Sequence, residues 1–233
     1  MIDLALVWVG IIGLGVLIYV VMDGFDLGIG ILFPFMNGTQ ERDVMMNTVA
    51  PVWDGNETWM VLGGAGLFAA FPLVYSTVLS ALYLPIIFMV VALIFRGVAF
   101  EFRFKATRTK YLWDLAFIWG SILSSFFQGV ILGAYIQGIQ TTNGIYSGGG
   151  WDWFTPFTCF TGLGVVVMYA TLGCGWLIWK TEKEIQQRMF HLMPRLIIAL
   201  LIIFGAVSLY TPLTHPEIAQ RWFSLPNLYY FSP

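Results

Sequence analysis

The chain has 233 residues, of which 58% are hydrophobic and 17% aromatic, while Asp, Glu, Lys and Arg together make up only 10% and leave a formal net charge of −2. Average soluble domains carry about 25% charged residues, so eleven basic and thirteen acidic side chains cannot clothe a water-soluble globule of this size. A mean hydropathy of +0.80 and a pI near 5.6 agree; soluble enzymes, disordered tails and nucleic-acid-binding modules are excluded, and an integral membrane protein remains.

A spanning helix needs roughly 20 largely apolar residues. Six segments meet this requirement: Leu4–Phe35, then 49–71, 77–100, 112–138, 154–179 and 192–210. The first is too long for a signal peptide and has no basic residue ahead of it. Between the spans lie a polar connection at 37–47, Pro72, a basic stretch at 103–110, a Gly/Ser/Thr/Asn-rich loop at 140–150 and a charged stretch at 180–188. The apolar runs are continuous rather than alternating, which excludes a β-barrel. Cys159 and Cys174 both sit in apolar runs and suggest neither a disulfide framework nor a metal pattern.

The basic residues orient the chain. Arg42 follows span one; Arg96, Arg103, Lys105, Arg108 and Lys110 lie at or beyond the end of span three; Lys180, Lys183, Arg188 and Arg195 lie between spans five and six. With alternating spans these share one side, and Arg221 alone lies opposite. The basic side is then cytoplasmic, with the N-terminus and the tail 213–233 facing outward. A faint echo of Gly13-Leu14-Gly15-Val16 in Gly162-Leu163-Gly164-Val165 hints at a four-helix unit that begins to repeat.

The informative residues are acids set in apolar sequence, each costing roughly 2.5–3.5 kcal/mol at a helix centre. Span one holds Asp23 and Asp26, an i,i+3 pair on one face, and Gly24 and Gly28 allow another helix to approach. Span two opens on Trp53-Asp54-Gly55-Asn56-Glu57, where Asp54 and Glu57 repeat that spacing. Span three ends with Arg96 and Glu101. All these groups fall at cytoplasmic helix ends, and acids crowded and buried around one cation are candidates for proton exchange. Plainer roles compete. Asp54 and Glu57 complement a helix dipole after Pro51, Glu101 and Lys105 form a surface pair, and Arg96 is a counter-ion for Asp23 or Asp26. For Asp54 the functional role is the stronger, because Trp53, Gly55 and Asn56 crowd it in a pattern that capping does not require. His191 and His215 fall on opposite sides and cannot clamp one haem. No catalytic residue and no metal site is expected in this chain.

The motifs Asp23-Gly24-Phe25-Asp26-Leu27-Gly28, Ala50-Pro51-Val52-Trp53-Asp54-Gly55-Asn56, Phe95-Arg96 with Glu101-Phe102-Arg103, and Trp113-Asp114 resemble subunit II of the cytochrome bd-type quinol oxidases. The resemblance covers essentially the whole chain, and Ser208-Leu209-Tyr210-Thr211-Pro212 is similar to the cyanide-insensitive branch. It implies an all-α polytopic transmembrane helix bundle of eight spans in two pseudo-symmetric four-helix halves. Six would be present here: a first unit, 1–140, and the first two spans of a second, 154–212, followed by the outward tail 213–233, so that the chain reads as C-terminally truncated. It also implies a haem-free subunit of a bacterial inner-membrane complex. The partner, subunit I, carries haem b and haem d (or a third haem b) and oxidises quinol, reducing dioxygen to water with cytoplasmic protons. In that family the acid of the Trp-Asp-Gly-Asn motif is associated with a proton route, which here is Asp54. Asp23, Asp26 and Arg96 match motif positions, and Glu57 lies where the family varies.

The expectation is therefore a subunit that supports assembly and proton supply. Asp54, Asp23, Asp26, Glu57 and Glu101 form the route, Arg96, Trp53 and Asn56 hold it, and membrane lipid and quinol or quinone are the further partners. The alternatives are a proton-coupled transporter and a purely structural membrane subunit.

Overall fold

The computed structural model describes residues 3–36 and 38–231; Met1, Ile2, Asn37 and the end of the expected tail, Ser232 and Pro233, lie outside the described residues. Helix α1, Leu4–Leu32, starts at Asp3, whose carboxylate accepts the Ala5 N–H at 3.0 Å. A 3-10 turn, Phe33–Phe35, follows. The polar connection forms a helix of its own, α2, Thr39–Asn47, because Gln40, Glu41 and Arg42 are good helix formers. Helix α3 is Trp53–Ala70, and α4, Pro72–Phe102, begins after Phe71 alone. Proline suits the first turn of a helix, so Pro72 opens α4 well before residue 77. Within α4 the backbone leaves helical geometry at Leu82 (φ −119°, ψ 19°), one turn before Pro85, which has no N–H to donate.

Helix α5 is Lys110–Gln137. The loop beyond it contains a small antiparallel hairpin of β1, Thr141–Thr142, and β2, Ile145–Tyr146, closed by Asn143 and Gly144 with φ of 54° and 79°. Asn-Gly is the residue pair that a two-residue turn of this hand favours. Helix α6 is Pro156–Lys180, and α7, Lys183–Thr214, takes in the charged stretch ahead of its apolar run. The tail carries two short helices, α8, Pro216–Phe223, and α9, Asn227–Phe231.

The architecture is an all-α membrane bundle. Five helices are long and apolar enough to cross a membrane: α1 with its terminal turn, α4, α5, α6 and α7. Helix α3 is not among the five; its opening residues from Trp53 to Glu57 are too polar. Helix α1 is central and touches α3, α5 and α6. Residues 23–32 of α1 are buried without a break, whereas most of its first half is exposed. The burial depends on a close backbone approach: a Cβ on Gly28 would collide with the Tyr169 carbonyl oxygen, and Gly173 faces Gly28 across the same contact. Phe25 stacks on Trp176 beside it, with ring centroids 4.1 Å apart.

Candidate functional site

The buried end of α1 brings Asp23 and Asp26 to α4 and α3. Arg96 Nη2 donates to Asp23 Oδ1 at 2.6 Å, and both side chains are fully buried. A bare Gly120 on α5 leaves room for the α4 backbone at Arg96. Asp26, also fully buried, accepts from Asn56 Nδ2 at 2.8 Å, and that amide also reaches the Met22 carbonyl at 3.4 Å. Trp53 stacks on Phe100 with centroids 4.8 Å apart and planes at 8°. Asn56 thus ties α3 to α1, and Trp53 ties it to α4.

Asp54 points to the other side of α3 and is exposed. With Glu57 it lines a groove of about 410 Å³ between α3 and α4, walled by Trp53, Leu93, Ile94 and Gly97. Glu57 is half-buried and within electrostatic reach of Arg96, Asp23 and Asp54. Behind the groove, Asp23 Oδ2, Asp26 Oδ1, and Arg96 Nε and Nη1 have no protein partner among the described residues. Interior polar groups of this kind are ordinarily completed by ordered water. Three of the five acids of the expected route, Asp23, Asp26 and Glu57, therefore lie around Arg96, and Asp54 lies on the groove beside Glu57. Glu101 stands apart: it is exposed and pairs with Lys105 at 3.7 Å across one helical turn.

Sequence reasoning missed two clusters. Arg103, read as part of a basic loop, is fully buried and donates to Asp114 Oδ1 and Asp43 Oδ1, each at 2.5 Å; Lys110 joins at Asp43 (2.9 Å) and Arg42 at Asp114 (2.9 Å). Burial pushes the Asp43 carboxyl up, but hydrogen bonds and charge from Lys110 and Arg103 outweigh it and hold the group below its ordinary value. The available signal was Asp114, an acid just inside α5 beside a basic stretch. The second cluster is a polar hub within the bundle, where Gln128 Nε2 donates to Tyr19 Oη at 2.8 Å and Tyr169 Oη donates to Gln128 Oε1 at 2.7 Å. His191 and His215 lie near opposite ends of α7, about 36 Å apart by helical rise, too far to share a haem. No group of three or more His, Cys, Asp or Glu among the described residues is placed to hold a metal ion.

Residues 4–231 match the family model described as cytochrome bd terminal oxidase subunit II. The chain belongs to that family. It is 33% identical over 193 residues to cytochrome bd-I ubiquinol oxidase subunit 2 of Escherichia coli K12, covering 79% of this chain and 51% of the relative. It is 32% identical over 197 residues to cytochrome bd ubiquinol oxidase subunit 2 of Bacillus subtilis, covering 81% and 58%. A probable cytochrome oxidase subunit 2 of Haemophilus influenzae is 33% identical over 176 residues, covering 72% and 47%. The chain spans about half the length of the curated relatives it matches.

Proposed function

We propose that the chain works as a haem-free subunit II of a cytochrome bd-type quinol:dioxygen oxidoreductase in a bacterial inner membrane. It supports assembly of a haem-bearing subunit I and supplies cytoplasmic protons for reduction of dioxygen to water. The observation that carries the proton role is the gradation of the acids: Asp54 in an open groove, Glu57 half-buried behind it, and Asp26 sealed behind Asn56. A proton taken up at Asp54 passes inward by way of Glu57 and the water that completes the buried carboxylates. Glu101 sits at the aqueous rim, and Arg96 balances the charge of Asp23. Helix α3 acts as a sixth span, giving six of eight in two four-helix units, 1–140 and the beginning of a second at 154–212. The residues 208–212 support the cyanide-insensitive branch.

The test is Asp54→Asn in the complete complex. Quinol-oxidase turnover should fall roughly tenfold, equivalent to about 1.4 kcal/mol in the barrier, while the haem absorption spectrum is unchanged. Wild-type turnover in this variant removes the proton role, and a complex that copurifies without haem removes the oxidase assignment in favour of a transporter. One observation favours a structural role for part of the cluster: Arg96 and Asp23 are both sealed from solvent and bonded directly to each other.

A further inference from the structure

At the end of the bundle that carries most basic residues, the turn after α1 and the first turns of α7 border an open cavity of about 420 Å³. Arg188, His191 and Arg195 line it from α7 at spacings of three and four residues, which places them on one helical face. Phe35 and Met36 supply an apolar wall with Leu192. Arg188 is engaged through Nη1 alone, by Glu41 Oε2 at 3.2 Å and Met36 Sδ at 3.9 Å. The Arg195 guanidinium has no partner among the described residues. His191 Nδ1 lies 2.7 Å from the Gln187 carbonyl, which leaves Nε2 for another group. Glu184 is the only acid in the lining and Glu41 pairs with Arg188, so Arg195 is the lining cation that no ion pair engages.

The depth of this cavity is set by the sequence. Arg195 is the last charged residue before the uninterrupted apolar stretch 196–207 within segment 192–210, and Lys180, three residues before α7, sits 3.9 Å from the centroid of the Trp179 ring. Lysine and tryptophan together mark a membrane–water boundary. An arginine pair at that level, backed by Phe35 and Leu192, has the chemistry of a lipid phosphate above an acyl chain. We propose that this cavity binds the phosphate of an anionic phospholipid. Arginine forks match phosphate oxygens, and basic pockets between spanning helices hold anionic head groups. The site lies on α7, away from the acids around Arg96, and does not depend on the proton route.

The test uses the complete complex, delipidated in detergent and titrated with phosphatidylglycerol, phosphatidylcholine or inorganic phosphate. Bound lipid is counted by native mass spectrometry and stabilisation is read as melting temperature. Phosphatidylglycerol should bind and raise the melting temperature, and Arg195→Gln should weaken that binding roughly fivefold, equivalent to about 1 kcal/mol for one cation near a charged membrane surface. Arg195→Lys should keep most of it. Lys105→Gln, which removes an exposed cation elsewhere on the same side, should change nothing. Equal retention of phosphatidylcholine, equal stabilisation by inorganic phosphate, or an equal loss in Lys105→Gln would overturn the proposal.

Discussion

Asp23 and Arg96 show what one buried ion pair imposes. Both have left water completely, and a desolvated charge is tolerable only beside its partner. Removing the partner is the costly step. Asp23→Asn strands the Arg96 guanidinium and should destabilise the assembled protein by about 3–5 kcal/mol, measured as a lowered melting temperature and a lower yield of complex. The double variant Asp23→Asn with Arg96→Gln should recover part of that loss; no recovery would mean that the two charges are not coupled. Glu101 marks the opposite limit: exposed and paired only with Lys105, it belongs to a class of contact worth about 0–1 kcal/mol. The chemical types were legible in the sequence, since an aspartate in an apolar run must find a partner. Which aspartate takes the arginine and which takes Asn56 was not legible, because i,i+3 neighbours share a helix face and only the crossing of α4 and α3 separates them.

At the level of elements, the Arg103 cluster ties α2 to the ends of α4 and α5. Asp43 gives the cluster a dependence on pH. Its carboxyl is held below the ordinary value in the folded protein. Such a group contributes stability above its unfolded pKa and loses it as pH falls through the folded one. The tie should therefore hold at neutral pH and release below about pH 4. Thermal melts across that range should show a smaller acid-induced drop for Asp43→Asn than for the wild type; an identical drop would assign the effect to other carboxylates. Element boundaries depended on local chemistry that apolar run length does not report. Pro72 begins a helix as readily as it ends one, Asn143-Gly144 folds a hairpin out of a polar loop, and Lys183 to Arg188 extend α7 beyond its apolar stretch.

Across the whole molecule, α1 and α6 join the first and second halves of the described chain through the bare backbone contact of Gly28 with Tyr169 and Gly173. In lipid there is little hydrophobic drive between helices, so close packing of small residues carries the association. Gly28→Ala places a methyl where the Tyr169 carbonyl sits and should cost at least about 1–3 kcal/mol, read as reduced assembly. Gly10→Ala is the control, since a Cβ there meets nothing within 4 Å; equal assembly of the two variants would show that the contact does not hold the bundle. The basic residues gather at the same end as the acids. That single asymmetry underlies both the proposed proton uptake and the proposed lipid site.

The sequence by itself determined that the chain is helical and membrane-embedded, that its charges are segregated toward one end, and that its motifs belong to subunit II of the cytochrome bd oxidases. Each of these follows from composition, run length or local residue order, which act along the chain. Tertiary structure alone decided that Arg103 is buried between Asp43 and Asp114, that Gln128 bridges Tyr19 and Tyr169, that Asp54 faces a groove while Asp26 is sealed, and that Arg188 and Arg195 line one cavity with Phe35. These are contacts between residues far apart in sequence. They depend on how closely two helices approach and at what rotation, and in this chain glycines such as Gly28, Gly120 and Gly173 set that approach.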